Sequence, residues 1–108
     1  MSNIKSKNEA KKLVKEYSKV LKENNFPFEA VYLYGSYTGG KAKEWSDIDV
    51  AVVSDVFKKN REKYELLLWK LRRGLDSMIE PTGFTTEDFK ENNSPLVYDI
   101  KKKGERVA

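Results

Sequence analysis

The chain has 108 residues, 39% of them apolar and 12% aromatic, and its 21 Lys and Arg outnumber its 17 Asp and Glu for a net charge of +4. That composition suits one globular domain over residues 1–108 and excludes a disordered chain. No run of about 18 apolar residues offers a membrane span, no apolar segment follows the N-terminus, and the lack of cysteine excludes disulfides and thiolate metal sites, so a cytoplasmic protein is expected.

Between residues 8 and 24, Ala10, Leu13, Val14, Tyr17, Val20 and Leu21 recur at helical spacing among Lys and Glu, and Asn24-Asn25 ends the pattern. Phe28 to Tyr34 is β-prone. Residues 36 to 46, with Gly39-Gly40, read as a loop or short helical turn. Asp47 to Ser54 reads as a second strand, with Ile48, Val50 and Val52 on one face and Asp47, Asp49, Ala51 and Val53 on the other. Apolar residues on both faces predict a central strand covered on each side.

A second long helix is predicted over residues 60–74, its buried stripe made of Tyr64, Leu67, Leu68, Leu71 and Leu75, with Gly74 near its end. Ser77 to Phe84 reads as a third strand, short or at an edge because of Pro81. Thr85 to Asp88 resembles a helix start, Pro95 to Lys103 a last helix closed by Gly104, and Glu105 to Val107 a small terminal strand. The order α-β-β-α-β-α gives an α/β (α+β) fold: a small mixed sheet flanked by helices.

Two features carry chemistry. Gly35-Ser36 directly follows a strand, where a glycine lets the backbone turn sharply and approach a ligand. The amides that follow, the Ser36 hydroxyl, Lys41 and Lys43 are placed to meet an anion. Asp47 and Asp49, at i and i+2 of a strand, project from one face about 7 Å apart. Unaided, such like charges repel; with Mg²⁺ or Mn²⁺ between them both stay ionised and supply hard oxygen ligands. The full pattern, Gly-Ser, ten residues and Asp-x-Asp, arises by chance in roughly one chain of this length in a thousand, so it is read as a site rather than as two turns. The lysines of the first 22 residues and of Lys101–Lys103 are read first as solvated helix faces and only second as a nucleic-acid footprint, since no RNP, KH, zinc-finger or basic-zipper pattern accompanies them.

Through Gly35-Ser36 and Asp47-Ile48-Asp49 the chain resembles the minimal nucleotidyltransferases of the DNA polymerase β-like superfamily. The resemblance implies a polymerase β-like palm core that moves NMP, AMP foremost, from an NTP such as ATP to an acceptor hydroxyl with release of pyrophosphate. It implies two Mg²⁺ (or Mn²⁺) ions on Asp47, Asp49 and a third carboxylate, with Gly35, Ser36 and Lys41 at the phosphates. In DSMIEP the third acid is Glu80 or Asp76, and Glu80 is favoured because Ile-Glu-Pro looks like the third-acid segment of small members. Two departures from the family are Gly39-Gly40, where relatives have an arginine, and Trp45 before Ser46. Relatives of this size pair with a helical HEPN ribonuclease as antitoxin, which implies a tyrosine of that partner as acceptor; the alternative is an inactive antitoxin that acts by binding alone. A homo-oligomer is compatible with either.

Overall fold

Ser6 starts the first helix. Its hydroxyl accepts from the Glu9 amide at 3.0 Å, and the Glu9 carboxylate accepts from the Ser6 amide at 3.1 Å, a reciprocal pair that satisfies two otherwise orphaned donors. The computed structural model describes residues 6–38, 47–75, 78–91 and 94–108. Helix α1 (Lys7–Glu23) buries Ala10, Val14, Tyr17 and Leu21 and leaves Lys12, Lys15, Lys19 and Lys22 exposed. Asn25, at φ 57°, takes the chain out of it.

Among the described residues four strands follow: β1 (Ala30–Tyr34), β2 (Ile48–Val53), β3 (Ile79–Phe84) and β4 (Glu105–Arg106), in the spatial order β3-β2-β1-β4. β2 is antiparallel to β1 and parallel to β3, and β4 lies antiparallel on the far side of β1. The mixed sheet is therefore as expected, with β2 central and the proline-bearing β3 at an edge.

Alternation on β2 sends its side chains into two separate cores. Ile48, Val50 and Val52 join Val31, Leu33 and Ile79 beneath α1 and α3 (Arg61–Leu71). Ala51 and Val53 join Ala30 and Phe84 against Phe89 of α4 (Thr86–Glu91) and Val97 and Ile100 of α5 (Pro95–Lys103). Each large apolar side chain so removed from water contributes about 1.5–3 kcal/mol. The Tyr17 hydroxyl, whose pKa burial raises, donates to the Leu68 carbonyl at 2.7 Å and ties α1 to α3 within the first core.

The helix expected over 60–74 is shorter than its apolar pattern. α3 ends at Leu71, and among its predicted stripe only Leu68 is fully buried; Tyr64, Leu67, Leu71 and Leu75 are partly covered. Asn60 caps it, accepting from the Lys63 amide at 3.1 Å, and thereby separates it from a one-turn helix α2 (Val56–Lys59) that periodicity over so few residues did not reveal. β1 and β3 each begin two residues later than expected, at Ala30 and Ile79, and Asp47 stands just outside β2. Ladder pairing, which sequence pattern does not encode, sets those ends.

Two arginines of the α3 region close the outer edge of β3. Arg72 donates to the Ile79 carbonyl at 3.1 Å and Arg61 to the Gly83 carbonyl at 2.9 Å, while the outward position between them is Pro81, which has no N–H. Gly83 also admits α2: a Cβ there would lie 2.3 Å from Cζ of the buried Phe57 ring. Gly83→Ala is expected to cost about 1–3 kcal/mol by overpacking, read as a lower urea midpoint at unchanged m-value; Gly83→Ala with Phe57→Leu should recover part of that loss.

Candidate functional site

Three strand ends meet at one end of the sheet. Because β1 runs against β2 and β2 runs with β3, the last residue of β1 and early residues of β2 and β3 lie on one rung: Tyr34 opposite Asp49, and Asp49 opposite Glu80. Paired residues on neighbouring strands sit roughly 5 Å apart and point to the same face. That face is the one covered farther along by α4 and α5.

The electrostatics follow from this row. Burial first, then Glu80, then Asp47, push the Asp49 carboxyl up to about 6. Glu80 is raised by partial burial, by the charge of Asp47 and by a hydrogen bond with Asp47, opposed by Arg72. Asp47 is exposed just before β2. Tyr34, half-buried beside Asp49, has its hydroxyl pKa raised by burial and by both acids, against a hydrogen bond with Thr82. The three acids named from sequence thus stand together.

Gly35 fits this row by having no side chain. It lies at φ +79°, and a Cβ on it would meet Oδ2 of Asp49 at 2.2 Å. With that glycine the chain turns from β1 into a single 3₁₀ turn (Gly35–Tyr37), whose first amides have no partner within the turn. Thr38 closes the turn, its amide donating to the Gly35 carbonyl at 3.1 Å, and Tyr37 is buried in the first core. Tyr37 is therefore a packing residue, while Tyr34 belongs to the site. Tyr34 also packs against the second core, and its place immediately before Gly-Ser is the sequence signal for its position beside the acids.

Asp76, Lys41, Lys43 and Trp45 lie outside the described residues. Among the described residues no group of three or more His, Cys, Asp or Glu side chains is set to hold a metal ion. The acids are close enough to raise one another and for Glu80 to hydrogen-bond Asp47, but they are not arranged about a common point as the ligands of a closed site are. Their chemistry nevertheless fits a hard divalent cation: all donors are carboxylate oxygens, and the repulsion among them is what such a charge relieves.

A family model for the nucleotidyltransferase domain matches residues 10–105, and the chain belongs to that family. The fold is shared with a candidate nucleotidyltransferase of Sulfolobus solfataricus, at TM-score 0.65 and 21% identity over 94% of this chain and 86% of that one. A toxin–antitoxin structure with AMP-PNP superposes at TM-score 0.61, with 26% identity over 87% of this chain and 72% of that one. In sequence, a candidate protein adenylyltransferase of Methanocaldococcus jannaschii, MJ1215, is 39% identical over 49 residues, 45% of this chain; the match spans about half of that relative's length, 56%. Members of the family generally use divalent metals and nucleoside triphosphates.

The raised Asp49 carboxyl fixes the sign of a pH effect. A carboxyl that holds its proton more tightly when folded than its usual 3.8 stabilises the fold below about pH 4, and that contribution is lost as pH rises to about 6. Metal-free protein should therefore lose about 1 kcal/mol between pH 4 and 7 from this half-exposed group. Asp49→Asn should flatten that slope and melt higher than the parent at pH 7 without metal, as read by thermal denaturation across pH.

Proposed function

We propose that this chain is a minimal nucleotidyltransferase that moves AMP from ATP to an acceptor hydroxyl. The observation that carries the reading is the row Asp49 and Glu80, with Asp47 bonded to Glu80, against the Gly35-Ser36 turn. Glycine keeps the turn close to the acids, so a triphosphate held by the turn has its reacting phosphorus beside the carboxylates. Asp47, Asp49 and Glu80 would hold two Mg²⁺ or Mn²⁺ ions, which supply charge stabilisation for the attacking and leaving oxygens.

Each residue then has a part. The Ser36 hydroxyl and the amides of the turn bind the β- and γ-phosphates, and Lys41 adds positive charge there. Asp47 and Asp49 fix the geometry of the triphosphate end. Glu80, whose carboxyl is raised by partial burial and by the charge and hydrogen bond of Asp47, takes up a proton at that carboxyl. As the acceptor oxygen bonds to the α-phosphorus, the bridging α–β P–O bond breaks, pyrophosphate leaves, and the acceptor's proton passes to Glu80.

The acceptor we infer is a tyrosine of a helical HEPN-type toxin, with this chain as its antitoxin. Support comes from the toxin–antitoxin relative with AMP-PNP and from the protein adenylyltransferase relative. Asp47→Asn, Asp49→Asn and Glu80→Gln should each lower label transfer from ATP to the toxin at least about a hundredfold, and EDTA should abolish it. Asp76→Asn should leave transfer near the parent rate. Retained transfer in Glu80→Gln with loss in Asp76→Asn would assign the third carboxylate to Asp76 instead.

A further inference from the structure

Helix α3 carries Leu66, Leu67, Leu68 and Trp69 in succession, so its apolar side chains leave the helix on more than one side, and it lies at the surface. Here the first core takes Leu68 fully and Leu67 in part, whereas Leu66 is 58% and Trp69 39% exposed. These two are three apart and therefore adjacent on one stripe. A groove of about 420 Å³ runs along the helix, lined by Leu66 and Leu67 with Lys63, Lys70, Asn60 and one acid, Glu62. Among the described residues neither Lys63 nor Lys70 forms an ion pair with a carboxylate.

We propose that the outer face of α3 is a docking surface for an acidic amphipathic helix of a partner protein, its apolar ridge on Leu66 and Trp69 and its carboxylates on Lys63 and Lys70. Charge selects that occupant. A second copy would bring the same lysines, or those of the exposed faces of α1 and α5, to a groove where Lys63 and Lys70 already outnumber Glu62, in a chain of net charge +4. Like charges across an interface cost several kcal/mol, whereas opposite ones speed encounter and fix register. Trp69, with Arg72 stacked 4.6 Å from its ring centre, offers the rigid aromatic area typical of binding anchors. The surface lies on the sheet face opposite the acid row, so a docked helix leaves the Gly35–Glu80 end open, and the proposal does not depend on the transfer reaction.

The test uses a displayed library of amphipathic helices with randomised charged flanks, selected on the whole chain and cleared of binders to Leu66→Asp protein. Enrichment of acidic flanks is expected. The selected helices should lose tenfold or more in affinity on Leu66→Asp and on Lys70→Glu, and bind more weakly as salt rises. Circular dichroism and melting verify that both variants fold, and unchanged binding of Mg-ATP separates this face from the nucleotide site. Enrichment of neutral or basic flanks, or no enrichment, overturns the proposal. So does a self-dimer in sedimentation that Leu66→Asp dissolves, or a single-stranded oligonucleotide that binds the parent and not Leu66→Asp protein.

Discussion

The register of β2 against β3 is the constraint from which the site follows. Parallel pairing puts Asp49 and Glu80 on the same rung, pointing the same way, and Tyr34 joins them from β1. A sheet gains nothing from two carboxylates side by side; burial first, and then the charges of Glu80 and Asp47, push the Asp49 carboxyl up to about 6. The arrangement persists because the rest of β2 is committed to two cores. A slip of one residue would send Ile48, Val50 and Val52 to the face of α4 and α5, and Ala51 and Val53 beneath α1 and α3. Packing farther along the strand thus holds the charges together at its start.

Much of this was legible because it rests on local rules. The α1 stripe, the two-faced apolar pattern of β2 and the proline that marks β3 as an edge strand each follow from side-chain period or backbone chemistry, and all three hold. The spacing from Gly35 to Asp49 signalled a site, and the fold gives one reason for the glycine that spacing alone did not contain: its missing Cβ is where an Asp49 oxygen lies. What eluded the sequence depends on partners distant in the chain. Phe57 and Gly83 are 26 positions apart, so α2 had no local signature. Tyr34 looks like any strand aromatic until its opposite residue is known to be Asp49.

The two faces of the sheet divide the work. One carries the larger core, built from α1, α2 and α3, and the other carries the acids and the smaller core of Phe89, Val97 and Ile100. A face that must keep one end open for a ligand can bury less. The opposite face compensates with deep side chains and with the Tyr17–Leu68 hydrogen bond, which spans 51 positions.

Arg61 and Arg72 add one more consequence. An unpaired strand margin is an invitation for another strand to join and for sheets to grow from molecule to molecule. Here the carbonyls flanking Pro81 already hold guanidinium groups, and the proline itself offers no hydrogen to share. Among the described residues the sheet is four strands wide, and on that side its margin is closed to an incoming strand without a covering subunit.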